Sequence, residues 1–287
     1  LELVEERVTE EKVEKNEVKD EQNKSKKSFS ILGYSIWRIL AYFIIYSVIG
    51  YIIETLFGII TKGVWESRQS FLYGPFCAIY GLGAVVMILS LQRFNKNNNS
   101  LFFGGFIVGS IVEYVISLLG EIIFNVKWWD YSDMPLNING RICVYFSLFW
   151  GFLAIYLMSY ANPRVDKLIN WIKSKFSLKF LKSTVIFLII FLFIDFGITS
   201  YALKMFFLRM VKEYDINIGD KQVVEQAYED VYGNEDLSNI IHKLWGNKKM
   251  IMIFPNLKLE DNEGNIVHFK NLLPEIQPYY IKLRDKN

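Results

Sequence analysis

The sequence predicts an all-α integral membrane protein with about five transmembrane helices and a small α+β C-terminal segment. Three observations lead there. First, 52% of the residues are hydrophobic, 16% are aromatic and the mean hydropathy is +0.21, although the chain carries 32 basic and 30 acidic side chains. Second, the charges are segregated: the runs 39–60, 71–91, 101–124, 142–160 and 184–208 are almost free of Lys and Arg. Third, each run approximates the ~20 residues that a helix needs to cross ~30 Å of hydrocarbon. Stretches such as Val185-Ile186-Phe187-Leu188-Ile189-Ile190 are continuously apolar, whereas the strands of a membrane barrel alternate. Five such runs in 287 residues leave too little polar surface to cover them in water.

The elements follow in order. Residues 1–35, in which Glu and Lys alternate from Glu2 to Lys27, lack both an apolar signal core and enough hydrophobic residues to fold, so a solvated tail, disordered or a transient helix, is predicted, with the first helix as insertion signal. Residues 36–211 are the predicted transmembrane domain. In its first run Tyr46, Gly50, Glu54 and Gly58 recur every four residues, and in the third Gly105 and Gly109 lead to Glu113, Ser117 and Glu121. Small residues at this spacing admit a neighbouring helix, so two acidic faces could meet. In the second run Gly74-Pro75 either breaks the backbone at membrane depth or places Pro in a first helical turn. Cys77 and Cys143 read as small buried side chains rather than a disulfide. Between the fourth and fifth runs, residues 164–182 form a basic amphipathic connection with Leu168, Trp171, Ile172 and Phe176. An interfacial helix on anionic lipid accounts for it, with a docking surface for another subunit as the alternative. Residues 212–287 are predicted to be a small soluble module. In it, 214–244 has helical spacing, and a hairpin is predicted between 250–254 and 265–269 around Asp261-Asn262-Glu263-Gly264.

Lys24, Lys26, Lys27 and Arg38 precede the first run, and Arg164, Lys167, Lys173, Lys175, Lys179 and Lys182 follow the fourth. Positive flanks are retained in the cytoplasm, so the N-terminus is predicted inside. Five crossings then leave the C-terminal segment outside, where Lys204, Arg209 and Lys212 run against the rule.

On that orientation the acidic residues gather in the outer half. At 1.5 Å per residue, Glu54 lies ~9 Å and Glu113 ~16 Å inside the outer helix ends, with Glu121 about one turn in and Asp195 near the middle of the fifth helix. A carboxylate at such depth costs roughly 2.5 to 3.5 kcal/mol, so each requires a partner, a proton or water. Arg68 and Arg141 at the rim are the expected partners, and Thr199 is a local one for Asp195. The segment 128–141, Trp-Trp-Asp-Tyr-Ser-Asp-Met-Pro-Leu-Asn-Ile-Asn-Gly-Arg, joins two apolar runs. Trp and Tyr favour the headgroup layer, while Pro, Asn and Gly end helices, so this loop should form a built structure at a membrane surface. Glu54, Glu113, Trp128, Trp129, Asp130, Tyr131, Asp133, Arg68 and Arg141 are the candidate lining of a substrate cavity, with Glu121 and Asp195 secondary. The bland reading is that these carboxyls simply hydrogen-bond between helices. His242 and His268 are the only histidines, which supports neither a metal site nor a histidine-based catalytic pair; no cofactor and no nucleic-acid partner is expected.

Several stretches carry a family resemblance: Gly50-Tyr51-Ile52-Ile53-Glu54-Thr55, Phe71-Leu72-Tyr73-Gly74-Pro75 with Ile79-Tyr80-Gly81, Glu113-Tyr114, and 128–141 followed by Ile142-Cys143. Asp195 with Ser200, and Phe254-Pro255-Asn256-Leu257 with 261–264, extend it. Over roughly residues 36–270 the chain resembles the bacterial integral membrane proteins called putative ABC transporter permeases, of the CmpB or "type IV" kind. The resemblance implies a multi-pass permease subunit in a bacterial plasma membrane, with no catalytic residue to carry over. The chain has no Gly-x-x-x-x-Gly-Lys-Ser/Thr loop, so ATP hydrolysis would fall to a separate ATPase subunit. A homo-oligomer in the bilayer is compatible with this. Two other classes fit the same residues: an intramembrane enzyme or binding protein acting on a lipid or isoprenoid, with Asp130 or Asp133 as acid or base, and a structural or regulatory envelope protein.

Overall fold

The computed structural model describes residues 30–94, 97–124, 127–276 and 279–280. Of the tail predicted over residues 1–35, residues 1–29 lie outside them, and 30–35 form a short strand pair. The chain divides into two units, Leu1–Leu40 and Ala41–Asn287. In the first, β1 (Ser30–Ile31) and β2 (Tyr34–Ser35) pair antiparallel across a turn in which Leu32 and Gly33 take positive φ.

The helices are α1 (Ile36–Lys62), α2 (Ala78–Leu91), α3 (Asn98–Phe124), α4 (Val144–Tyr156), α5 (Asn162–Lys175) and α6 (Leu178–Glu213). A single π turn, Leu157–Ala161, joins α4 to α5, so Val144–Lys175 is one continuous rod. Four helical stretches are long and apolar enough to cross a membrane: Ile36–Lys62, Asn98–Ile123, Val144–Lys175 and Leu178–Glu213. Their outward side chains are large and apolar, with Phe103, Ile107, Ile111, Phe187 and Phe193 all exposed. Such a surface is stable against lipid tails and not against water.

The second run, 71–91, behaves differently. Its helix α2 has 14 residues, or ~21 Å at 1.5 Å per residue, and starts only after an irregular entry through residues 70–77. Gly81, Gly83, Ala84, Val85, Met87, Ile88 and Leu91 are buried, which places α2 inside the bundle. Glycines set its spacing. A Cβ at Gly81 would lie 2.1 Å from Ser47 Oγ and 2.5 Å from the Phe43 carbonyl, and one at Gly50 would lie 2.3 Å from Tyr80 Cβ. Across the bundle, Gly105 and Gly109 of α3 rest against Ala154 and Trp150. The small-residue faces read from the sequence are therefore helix contacts.

At 36 residues, or ~54 Å, α6 is longer than a bilayer is thick, and its second half enters the C-terminal segment. Ala202, Leu203, Phe206, Phe207, Met210 and Val211 pack against Met250, Ile251, Phe254, Leu257, Leu259, Phe269 and Leu273. Around this core lie α7 (Lys221–Tyr232), α8 (Glu235–Trp245), α9 (Asn247–Ile253), the hairpin β4 (Lys258–Glu260) and β5 (Ile266–His268), the short α10 (Phe269–Leu272) and β6 (Tyr279–Tyr280). Asp220 and Asn234 cap α7 and α8 by accepting from Gln222 N and Leu237 N. The hairpin forms around the expected Asp-Asn-Glu-Gly turn, but its first arm is 258–260. Residues 250–253 are helical instead, because Met250 and Ile251 both reach the α6 core from one helix face and Pro255 follows the helix end. The fully buried Arg209 bonds Asn247 Oδ1 (2.6 Å), Tyr232 OH (3.2 Å) and the Trp245 carbonyl (2.8 Å), and Lys212 pairs with Glu225. Two of the cations that strained the positive-flank count thus hold the tail together.

The tail meets the same end of the bundle as the connections after α1 and α3. Strand β3 (Val64–Trp65) pairs with β6, and Lys127 forms a backbone bridge with Lys258 and an ion pair with Glu260.

Gly81→Ala and Gly83→Ala test the packing. A Cβ at Gly83 meets nothing within 4 Å. Gly83→Ala should hold or raise the detergent melting temperature, since Ala is favoured over Gly in a helix by up to ~1 kcal/mol. Gly81→Ala should lower it by several degrees.

Candidate functional site

The entry to α2 shows how the structure handles irregular backbone at depth. Cys77 N donates to the Ser47 carbonyl (2.9 Å), Ser70 N to the Phe76 carbonyl (2.8 Å) and Ala78 N to Ser70 Oγ (2.9 Å). Gln69 Nε2 donates to the carbonyls of Phe71 (2.8 Å) and Leu72 (3.0 Å). Leu72 N reaches Thr199 Oγ1 (2.9 Å) and Tyr73 N reaches Asp195 Oδ2 (3.1 Å). Thr199 in turn donates to Asp195 Oδ1 (3.2 Å). Asp195 therefore has its expected local partner and a second, unexpected task, which is to satisfy an amide of the broken segment. Of the two readings of Gly74-Pro75, the broken backbone is the one observed.

The loop 128–141 is a built unit. Tyr131 N donates to the Gly140 carbonyl (2.8 Å), Ile138 bridges to Ile142, and Asn137 Nδ2 spans the carbonyls of Ser132 and Met134. Asp130 Oδ1 accepts from Ser132 N (3.2 Å) and Ser132 Oγ (2.7 Å). Gly140 has φ +64°, and a Cβ there would strike Asp130 Oδ1 at 2.4 Å. Trp128 covers Gly120 of α3, and Trp129 Nε1 donates to the Arg141 carbonyl (3.0 Å). Asp133 stands exposed at the tip, where it and Asp130 act on Lys258, whose ammonium pKa is lowered by burial against their pull.

From this unit Tyr131 turns inward. Its ring stacks on Phe146 (4.5 Å between centroids), and its hydroxyl donates to Glu113 Oε1 (3.0 Å). The other oxygen of Glu113 accepts from Trp150 Nε1 (3.0 Å) in α4. Glu113 is 4% exposed and is held by two neutral donors. On the facing side Glu54 accepts from Tyr80 OH at 2.5 Å. Burial first, then the charges of Glu113 and, more weakly, Glu54, push the Tyr131 phenol well above its ordinary pKa. It stays a proton donor to Glu113.

The arginines take other partners than expected. Arg141 pairs with Glu121 (2.7 Å), donates to Ser117 Oγ (3.2 Å) and stands over the Tyr114 ring. Arg68 pairs with Glu66 (3.0 Å). Neither serves Glu54 or Glu113, because each finds a carboxylate nearer the helix ends, where charges are cheaper to keep. The structure thus gathers Glu54, Glu113 and Tyr131 at one seam, sets Arg141 with Glu121 beside it, and leaves Trp128, Trp129, Asp130, Asp133 and Arg68 as parts of the surrounding connections. Sequence reasoning missed the roles of Tyr80, Trp150 and Glu66. Trp150 was legible in principle, since an indole N–H in the middle of an apolar run needs an acceptor. Cys77 and Cys143 are both buried and unpaired.

Membrane-length helices around buried, neutrally bonded carboxyls define a multi-pass integral membrane protein with a polar seam inside its bundle. More narrowly, the chain belongs to the ABC_trans_CmpB family, described as "Putative ABC-transporter type IV", which matches residues 41–200. The stretch 254–264 lies beyond that match. No curated protein and no solved structure matches the chain.

Two predictions follow from the bonding. Asp195→Ala should destabilise the protein by about 1–3 kcal/mol, the cost of an unsatisfied buried donor, and Asp195→Asn by less, since its carbonyl still accepts from Tyr73. Melting temperatures in one detergent compare them. For the seam, Trp150→Phe should cost about 0.6–1.7 kcal/mol in the wild type. It should cost less in a Glu113→Ala background, where the indole has already lost its acceptor. Equal costs in the two backgrounds would show that the bond contributes nothing.

Proposed function

We propose that this protein is the permease subunit of an ABC-type transporter in a bacterial plasma membrane, with its N-terminus in the cytoplasm and its ATPase on a separate chain. Membership of the family supports the class, and one structural observation carries the reading further. The rod Val144–Lys175 runs unbroken from the polar seam to the basic end of the bundle. At one end Trp150 holds Glu113. At the other, 21 residues or ~32 Å away, Trp171 stands exposed with Leu168 and Phe176. Between them Asp166 accepts from Tyr42 and Asn162 from Tyr46, which pins the rod to α1, the helix that carries Glu54.

In this reading the ATPase docks on α5, and its closure displaces the rod. The π turn at Leu157–Ala161 is the point where the rod can yield, since such turns hold one residue more than the regular helix. Movement of Trp150 loosens Glu113, Tyr131 lifts with its loop, and the seam between Glu54 and Glu113 opens to a small polar or cationic solute. Tyr131 is the gate: it is anchored in the loop, and it closes the seam through a hydrogen bond from a phenol that stays protonated.

Purification of the tagged full chain from its native membrane in mild detergent tests this reading. A stoichiometric ATPase should co-purify, and a Leu168→Ala/Trp171→Ala variant should lose it while melting at the wild-type temperature, because both side chains are exposed. Recovery of the chain without an ATPase, enriched instead in one lipid, would overturn the reading.

A further inference from the structure

Away from the seam, the C-terminal segment and the connection after α1 enclose an open cleft of about 1470 Å³. Its lining divides by chemistry. Trp65, Ile251, Ile253 and Pro255 belong to an apolar part, and Trp65 is 48% exposed there. Lys62, Lys243, Lys248, Lys249 and Lys270 supply the charge. Among the described residues that line it, the one carboxylate is Glu66.

Glu66 is already over-subscribed. It is 5% exposed and faces three cations: Arg68 Nη2 at 3.0 Å, Lys62 Nζ at 3.4 Å and Lys270 Nζ at 3.8 Å. The last contact is long for an ion pair, and one negative charge cannot neutralise three positive ones. Lys249 turns toward the Tyr73 ring (5.7 Å), and Lys243 and Lys248 make no ion pair among the described residues. Five lysines around one saturated carboxylate leave a surplus of positive charge, and focusing between low-dielectric walls strengthens its pull on an anion.

The position selects the kind of anion. Lys62 is the last residue of the membrane-crossing α1, and Ile60, two residues earlier, is 79% exposed on its lipid-facing surface. A molecule with an anionic head and apolar chains can keep its chains along that surface while its head enters the lysine cluster. Trp65, a half-exposed lining residue three positions after Lys62, suits the boundary, since an indole favours the headgroup layer.

We propose that this cleft binds a phosphate-bearing amphiphile drawn from the adjoining leaflet, with the head held by Lys243, Lys248 and Lys270 and the upper chain against Trp65. The cleft shares no residue with the Glu54–Glu113 seam, so the inference stands apart from the transporter reading. A headgroup phosphate carries two or more acceptor oxygens to a cluster of ammonium donors, and each lysine near such a head contributes roughly a fivefold gain in binding.

The test uses the full chain purified in a neutral detergent and titrated with three probes: dioctanoyl phosphatidic acid, dioctanoyl phosphatidylcholine and inorganic phosphate, with binding read by microscale thermophoresis. Phosphatidic acid should bind saturably, tighter than either other probe, and more weakly as salt screens the lysines. A Lys243→Gln/Lys248→Gln variant should lose roughly twenty-five-fold in affinity, following the fivefold per lysine. Lys221→Gln, on an exposed lysine outside the cleft, should change nothing. Inorganic phosphate binding as tightly as phosphatidic acid would make the ligand a free anion and overturn the amphiphile. Equal binding of phosphatidylcholine, or undiminished binding to the double variant with an unaltered melting temperature, would overturn the site.

Discussion

A backbone N–H left unpaired inside a bilayer costs several kcal/mol, and this single constraint organises the molecule. Residues 70–77 are non-helical between two membrane helices, so their amides have no ladder to join. The bundle supplies partners for them from elsewhere, Thr199 and Asp195 of α6 and the Ser47 carbonyl of α1, while Ser70 N bonds the Phe76 carbonyl within the segment and Gln69 donates to two of its carbonyls. Because those partners sit on two helices, the segment fixes where α1 and α6 stand relative to α2. Gly81 can approach Phe43 and Ser47 only because that register is held. A carboxyl on an apolar helix, which reads at first as an active group, is accounted for by a backbone that must be satisfied.

The same constraint separates the two kinds of carboxyl in the bundle. Glu66 and Glu121 lie near helix ends and take arginines. Glu113 and Glu54 lie deeper and take neutral O–H and N–H donors instead. Bringing a guanidinium to Glu113 would have required burying a second charge, and the penalty for two buried ions can exceed their attraction. Neutral donors avoid that penalty, through bonds each worth about 0.6–1.7 kcal/mol.

The sequence was most legible where chemistry is local. The apolar runs, the small-residue faces of α1 and α3 and the turn at 261–264 all follow from spacing and composition, and the structure has them. The content of the loop at 128–141 was legible too, because Trp, Asn, Gly and Pro at those positions allow few conformations. What could not be read was pairing. By sequence Glu54, Glu113 and Glu121 were equal partners for Arg141, and the choice of Glu121 depends on a helix register that only packing sets. The extent of α2 was hidden for a related reason: Phe71 and Leu72 are as apolar as any helical residue, and only the hydrogen bonds of Leu72 and Tyr73 to α6 show that the chain there is not helical. The strand expected at 250–254 failed because an apolar run beside a turn satisfies either period, and the core around Phe206 favours the helix.

The C-terminal segment shows how far one helix can carry a fold out of the membrane. Arg209, fully buried, has its donors spread over Asn247, Tyr232 and the Trp245 carbonyl, with Phe206 beneath the guanidinium. These contacts lie on α6 itself and on three following helices, so the segment assembles around the extension of a membrane helix rather than as a body tethered to it. Its last described strand returns to pair with Val64 and Trp65, and its hairpin reaches Lys127. Both connections at this end of the bundle are therefore tied to one structure built on α6. The loop that carries Tyr131 is therefore bound to the hairpin through the Lys127–Lys258 bridge, and neither can be displaced without straining that bridge or carrying the other with it.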